Sequence, residues 1–153
     1  MKLLNLLSFS AILMTSVGFS QSNNPLYLDA NQPVEVRLDD LMSRMTLEEK
    51  VYQMNQFVGL DHMREAEKNL SVEELHSNDA QGFYKGLFSD DVAQMTKEGK
   101  IGSFLHVLTT EEANLLQELA FQSRLKIPIL IGIDAIHGNA LVSGTTVYPS
   151  PIS

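Results

Sequence analysis

The sequence predicts an α/β fold in which parallel strands alternate with helices, and three observations carry that prediction. Ile127, Ile129, Leu130, Ile131 and Ile133 form a nearly continuous apolar run of the kind found in parallel strands buried on both faces. A helical stripe through Leu115, Leu116, Leu119 and Ala120 comes just before it, within Ala113 to Leu125. Ile101 to Leu108, mostly apolar and short, precedes that helix as a second strand candidate. Strand, helix and strand in this order make a βαβ unit, for which a right-handed crossover is expected.

Composition bounds the possibilities before any motif is considered. With 44% apolar and 20% charged residues over 153 positions, the chain has the make-up of one globular domain. A formal charge of -8 comes with no basic stripe, which excludes the electrostatic footprint of a nucleic-acid binder. Residues 1–20 read as a secretory signal: Lys2, an apolar stretch through Ile12, Leu13 and Met14, then Gly18 and Ser20 three and one positions before a cleavage site. The stretch is too short and too broken by Asn5, Ser8 and Ser10 for a membrane span, and no cysteine follows it to carry a lipid, so no stable membrane anchor is expected. The protein is therefore expected to be exported, periplasmic or secreted. Having no cysteine, it is held by its core and not by disulfides.

Along the mature chain, residues 21–33 are polar and turn-rich and read as an extended arm. Residues 34–153 form the domain proper. Leu38, Leu41, Met42 and Met45 lie on one helical stripe, and Thr46 with Glu49 is a capping-box pattern that restarts the helix through Leu47, Val51 and Met54, giving two joined helices. Asp61 to Lys100 is charged and locally helical, with a second capping box at Ser71 and Glu74 and a helix stop at Gly99. Between these, Phe83, Tyr84 and Phe88 are set among glycines, which suits either a sugar-stacking loop or a loop pinned onto the core by its aromatics. Thr109 and Glu112 make a third capping box, and Pro128 forces Ile127 out of helical geometry so that the last strand can begin.

Two such strands and one helix cannot cover their own apolar surface. Each exposed aliphatic side chain forgoes about 1.5 to 3 kcal/mol of burial, and both sheet edges are left unpaired. The chain is accordingly read as part of a larger α/β domain, partly unfolded or oligomeric when expressed alone. A (β/α)₈ barrel needs about 250 residues, so at most about a quarter of one fits.

Ligands of parallel α/β folds bind beyond the carboxyl ends of the strands, and Asp134 stands there after Ile133. A carboxylate in that place needs hydrogen bonds, and vicinal sugar hydroxyls are suitable donors; the structural alternative is an Asp capping the next turn or pairing with a basic residue. His137, before Gly138, suits a group supporting Asp134 or a buried histidine that holds the loop. Gly132, Gly138 and Gly144 form neither a dinucleotide nor a phosphate fingerprint. The acidic pairs Asp39-Asp40, Glu48-Glu49, Glu73-Glu74, Asp90-Asp91 and Glu111-Glu112 are read as solvated faces and helix starts. His62, His76, His106 and His137 lack metal-site spacing, so no metal is expected, and there is no GxSxG nucleophile elbow.

Three blocks in order, RLDDLMSRMTLEEKVYQM, then GKIGSFL, then SRLKIPILIGIDAIHG with TTVYPSPIS, resemble the N-terminal part of glycoside hydrolase family three, the β-glucosidase and β-xylosidase type. SNDAQGFYKGLF departs from the pattern and looks like a subgroup insertion. The resemblance implies a helical lead-in followed by the first βαβ unit of an incomplete TIM-type barrel. It also implies that Asp134 binds sugar hydroxyls in the subsite where cleavage occurs, with a β-linked oligosaccharide or glucoside as partner and no cofactor. The retaining mechanism of such enzymes uses an Asp nucleophile and a Glu acid/base about 5 to 5.5 Å apart, both expected beyond Ser153, so the segment alone is expected to be inactive. DAIHG stands where the N-acetylglucosaminidase branch usually carries a D-x-E-G-G loop, which disfavours that substrate and leaves glucose and xylose open. A non-catalytic glycan-binding or interaction module is the alternative.

Overall fold

A computed structural model describes residues 25–75 and 84–149. The secretory signal, His76, Phe83 and the last four residues of TTVYPSPIS lie outside them. Among the described residues no helix is long and apolar enough to cross a membrane. Contacts divide the chain into two compact units, the first ending at Ser43 and the second beginning at Arg44.

In the first unit, a 3-10 turn at Leu26–Leu28 breaks the arm. It is tied to helix α1 (Val34–Arg44) from both sides: the Tyr27 N–H donates to Asp40 Oδ2 at 3.1 Å, and Arg37 Nε donates to the Tyr27 carbonyl at 3.0 Å. Among the described residues the apolar stripe foreseen here is only partly covered: Met45, just past the helix, is buried and Leu41 half-buried, while Leu38 and Met42 are exposed.

The second unit opens with α2 (Leu47–Tyr52), capped by the reciprocal Thr46–Glu49 box, so two separate helices form as the capping pattern requires. Leu47, Val51 and Met54 are exposed, and α2 is held instead by polar contacts. Arg124 Nε donates to Glu49 Oε1 at 2.9 Å and its Nη2 donates to the Arg44 carbonyl at 2.9 Å. Then comes β1 (Gln56–Val58), a strand the sequence reading does not contain, because three residues with a single buried side chain, Phe57, show no periodicity. The chain continues through α3 (Leu60–Asn69), α4 (Val72–Leu75) and α5 (Ser89–Lys97). The Ser71–Glu74 box caps α4 as expected. Gly99, at φ 73, ends α5: its N–H donates to Thr96 O and that of Lys100 to Met95 O, the paired bonds of a Schellman stop. The last elements are β2 (Ser103–Leu105), α6 (Thr110–Ala120) and β3 (Leu130–Gly132).

The βαβ unit foreseen at the end of the chain is present as β2, α6 and β3, but it is the second crossover and not the first. The three strands pair in parallel in the order β1-β2-β3, with Phe57, Phe104 and Ile131 in register. Side chains in register in a parallel sheet share a face. Phe57 and Phe104 are buried there with Leu60, Met63, Val92, Leu116 and Leu119, in the layer where α5 packs against both α3 and α6.

That cover stops at β3. Ile131 is 42% exposed, and Leu130, on the opposite face beside Ser103, is 74% exposed. The apolar run is therefore not buried on both faces among the described residues: Ile129 enters the core and the edge strand is left bare on its outer side. A small parallel α/β sheet is what the structure displays, and three strands are too few to define a barrel.

Of the aromatic loop, Tyr84 stacks on Phe57 with centroids 4.5 Å apart, and its hydroxyl donates to the Gln56 carbonyl at 3.4 Å. This is the pinned loop of the two readings. Burial against Phe57 raises the Tyr84 hydroxyl pKa above its ordinary value.

Candidate functional site

The carboxyl ends of the three strands bring together segments far apart in sequence. β1 runs into Gly59 and the start of α3. β2 runs into His106, and β3 runs through Ile133 into Asp134 and the loop carrying His137. Strand register fixes how these ends meet: the Gly59 N–H donates to Leu105 O, and the His106 N–H donates to Gly132 O, both at 2.9 Å.

Asp134 stands where the strand-end argument puts it, but its surroundings differ from expectation. Its side chain is 58% exposed, so the desolvation cost anticipated for a carboxylate ending a buried strand does not arise. The reason is the bare outer side of β3 already described. The basic group beside it is His106, whose Nε2 lies 3.5 Å from Asp134 Oδ2. Together with Ile136, His137 and Leu141 these two line a cavity of about 300 Å³, roomy enough for a monosaccharide ring by the scale of small-molecule sites.

His137 holds the loop. Its Nδ1 is 3.1 Å from the carbonyl of Tyr148, which can only accept, so the ring donates there; the Tyr148 N–H returns a bond to the His137 carbonyl at 3.0 Å. The ring is exposed, not buried, yet it fastens the two ends of the segment from Asp134 to Tyr148. Gly138 next to it has φ 70, and a Cβ there would lie 2.9 Å from Tyr148 Cδ2, so the residue after His137 has to be glycine for this closure to form.

Glu112 is the other group that sequence reasoning misjudged. Thr109 caps α6 by accepting from the Glu112 N–H at 3.1 Å, but the Glu112 side chain does not close the box. It is turned instead to the amino end of α3, where Oε1 accepts from the Asp61 N–H at 3.0 Å, and it is 3% exposed. Gly59 leaves room for it, because a Cβ there would lie 2.7 Å from Glu112 Oε1. Burial raises the Glu112 pKa, partly opposed by the backbone N–H groups it accepts from. A second cavity, about 250 Å³, is bounded by Asp61, His62, His106, Leu108 and Glu112, so His106 separates the two hollows. Most of the remaining acidic pairs are first-turn helix residues as expected: Glu48-Glu49, Glu73-Glu74 and Asp90-Asp91. Among the described residues no three His, Cys, Asp or Glu side chains gather as a metal ion would need.

The sequence did contain a signal for His106: it follows IGSFL as Asp134 follows IPILIGI, one residue past the carboxyl end of β2.

No family model matches the chain. Curated relatives do. A probable β-glucosidase C of Aspergillus oryzae is 32% identical over 123 residues, 80% of this chain and 18% of the relative. The periplasmic β-glucosidase of Salmonella typhimurium is 26% identical over 129 residues, 83% of this chain and 12% of the relative. The β-glucosidase BoGH3A of Bacteroides ovatus is 46% identical over 37 residues, 24% of this chain. The chain thus spans less than a fifth of the length of these relatives.

Proposed function

We propose, since the chain belongs to glycoside hydrolase family three, that it forms the N-terminal part of an exported, retaining exo-β-glycosidase acting on terminal β-linked glucosides. The observation that carries this reading is Asp134 at the end of a parallel strand, lining a cavity of about 300 Å³. An exposed carboxylate accepts two hydrogen bonds from neighbouring sugar hydroxyls without first having to be desolvated alone, and such charge-assisted bonds are about twice as strong as neutral ones. The nucleophile and the acid/base belong to a part of the enzyme outside residues 1–153, so the role of this segment is to recognise and orient the sugar. The names of both the Salmonella and the fungal relative support a β-glucosidase, and the Salmonella name a periplasmic one, in line with the signal-like residues 1–20.

The segment itself supplies one wall of the subsite. His137 and Gly138 close the loop beside it, and His106 stands between it and the Glu112 hollow. In the protein expressed from its complete reading frame, Asp134→Asn is expected to lower kcat/KM for an aryl β-glucoside by about 10²-fold, the loss of a charge-assisted bond plus an unpaired sugar hydroxyl. The 153-residue chain alone is expected to release no aglycone from aryl β-glucoside or β-xyloside. Turnover by that chain which disappears in Asp134→Ala would overturn the division of labour. Saturable calorimetric binding of short β-glucans by a protein whose reading frame ends at Ser153 would replace the enzyme with a binding module.

A further inference from the structure

The geometry points to His106 as the positioning residue of Asp134: its Nε2, 3.5 Å from Oδ2, is placed to donate to that oxygen as a ligand draws the carboxylate in, leaving Oδ1 for a ligand hydroxyl. This rests on the sugar-binding reading of Asp134 given above.

Three features of His106 lead to it. The first is its backbone. At φ 60 it occupies the left-handed region, uncommon for a residue with a Cβ, though histidine enters it more readily than most. Strain of that kind persists where the surroundings over-determine it, and it concentrates at ligand sites. Here the His106 N–H is bound to Gly132 O at 2.9 Å, so the turn is locked to the end of β3, two residues before Asp134.

The second is the proton. Nδ1 is buried and, among the described residues, has no hydrogen-bond partner. A proton on Nδ1 would be a buried donor with nothing to accept it, whereas a proton on Nε2 faces a carboxylate 3.5 Å away. The ring is therefore read as the Nε2–H tautomer, with Asp134 Oδ2 within ion-pair distance of that proton.

The third is the contrast in freedom. The His106 side chain is 25% exposed and the Asp134 side chain 58%. The ring is the more enclosed member of the pair and the carboxylate the more open one. A carboxylate that exposed has several rotamers open to it unless a fixed donor selects one, and a 3.5 Å contact is of the kind that tightens when a ligand draws the carboxylate in. The hydrogen bond of the His137 ring goes to the Tyr148 carbonyl, whereas the ion-pair contact of Asp134 is with His106.

The test separates the ring from the backbone. In the protein expressed from its complete reading frame, His106→Gln keeps a donor at the place of Nε2 and keeps the strained backbone. His106→Gly and His106→Asn relieve the strain, Gly with no donor and Asn with one only at the nearer ring position. Kinetics with aryl β-glucoside and thermal midpoints are measured for all three, and again on the Asp134→Asn background. The expected result is that Gln stays within about threefold of wild type in kcat/KM. Gly and Asn lose about three- to tenfold, mainly in KM, between the small worth of an exposed ion pair and the larger cost of a misplaced group, while their thermal midpoints do not fall. On the Asp134→Asn background the three variants converge. If Gly matches Gln, or Gln falls as far as Gly, the positioning role is wrong while the sugar-binding reading stands. If Asp134→Asn costs nothing, the sugar-binding reading falls and this inference falls with it.

Discussion

Among the described glycines, Gly102 is the one whose surroundings leave least room for a side chain, and Gly102→Ala tests this. Gly102 lies just before β2, where the backbone of the α2–β1 connection crosses it. A Cβ at this position would stand 2.1 Å from the Gln53 carbonyl oxygen, 2.6 Å from its carbon and 2.8 Å from its Cα. Real Cβ atoms essentially never come closer than 3.0 Å, so about 0.9 Å must be found, and it must come from backbone because no flexible side chain is in the way. Moving either strand disturbs Asn55, whose carbonyl accepts from the Gly102 and Ser103 N–H groups, both at 3.2 Å, and whose amide donates to Lys100 O at 2.9 Å. Overpacking costs about 1 to 3 kcal/mol, and each of the three weakened hydrogen bonds adds about 0.5 to 1.5 kcal/mol, for a total of about 2.5 to 7.5 kcal/mol. For a protein stable by about 5 to 15 kcal/mol that is a large share of the whole. In urea unfolding followed by far-ultraviolet circular dichroism, with a slope of about 1 to 3 kcal/mol/M, the midpoint should fall by at least about 1 M. Gly86→Ala is the control: Gly86 has φ 77 with open space around it, so only left-handed strain of about 1 to 2 kcal/mol applies. If Gly102→Ala unfolds cooperatively at the wild-type midpoint, or loses less than Gly86→Ala, the close approach of Gln53 to Gly102 is not a constraint on the fold.

Two further substitutions test the electrostatics. The Glu112 pKa is raised by burial above 4.5, so its protonated form is favoured on folding; the stability this gives is fully present below about 4.5 and is lost as pH rises through the raised value. Glu112→Gln keeps an acceptor for the Asp61 N–H without a charge, so denaturant titrations should find it gaining on wild type as pH rises above 4.5, and parallel pH profiles would refute the buried-carboxylate account. Glu49 behaves oppositely, because the Arg124 hydrogen bond holds its pKa below 4.5 and the stability it gives is lost as pH falls through the lowered value. Arg124→Leu should cost about 0.5 to 1 kcal/mol at pH 7, discounted for the exposure of the guanidinium, and less at a pH where Glu49 is protonated and only the bond to the Arg44 carbonyl remains to be lost; an equal loss at both pH values would show that Arg124 acts through its bond to the Arg44 carbonyl alone.

Much of this architecture is legible in the sequence, and the exceptions have a common physical cause. Helix starts at Thr46 and Ser71, the stop at Gly99 and the β2–α6–β3 order follow from local rules of capping and periodicity, so reading residues in order is enough. β1 is not legible because Gln56–Val58 is a strand only by virtue of pairing with Ser103–Leu105, a contact with no local signature. Glu112 looks like the partner of Thr109 until the start of α3 appears beside it, and a nonlocal donor then wins over the local one. The bareness of Leu130 is likewise decided by what covers β3 and not by its apolar sequence. In the candidate site the strand-end rule points to Asp134, and His106 answers to the same rule by its place after β2, which metal-ligand spacing does not reveal.

The bond from Glu112 to the Asp61 N–H spans 51 residues, and this separation sets an order of events during synthesis. Helix α3 leaves the ribosome well before α6 exists. Until Glu112 arrives, the amino end of α3 has only water or its own first-turn side chains to satisfy its N–H groups. Closing so long a loop comes late because its entropy must be met before the contact rewards it. The first crossover is therefore completed by a residue of the second, and the nascent chain should acquire protection from hydrogen exchange at Leu60 and Asp61 only once Glu112 has emerged.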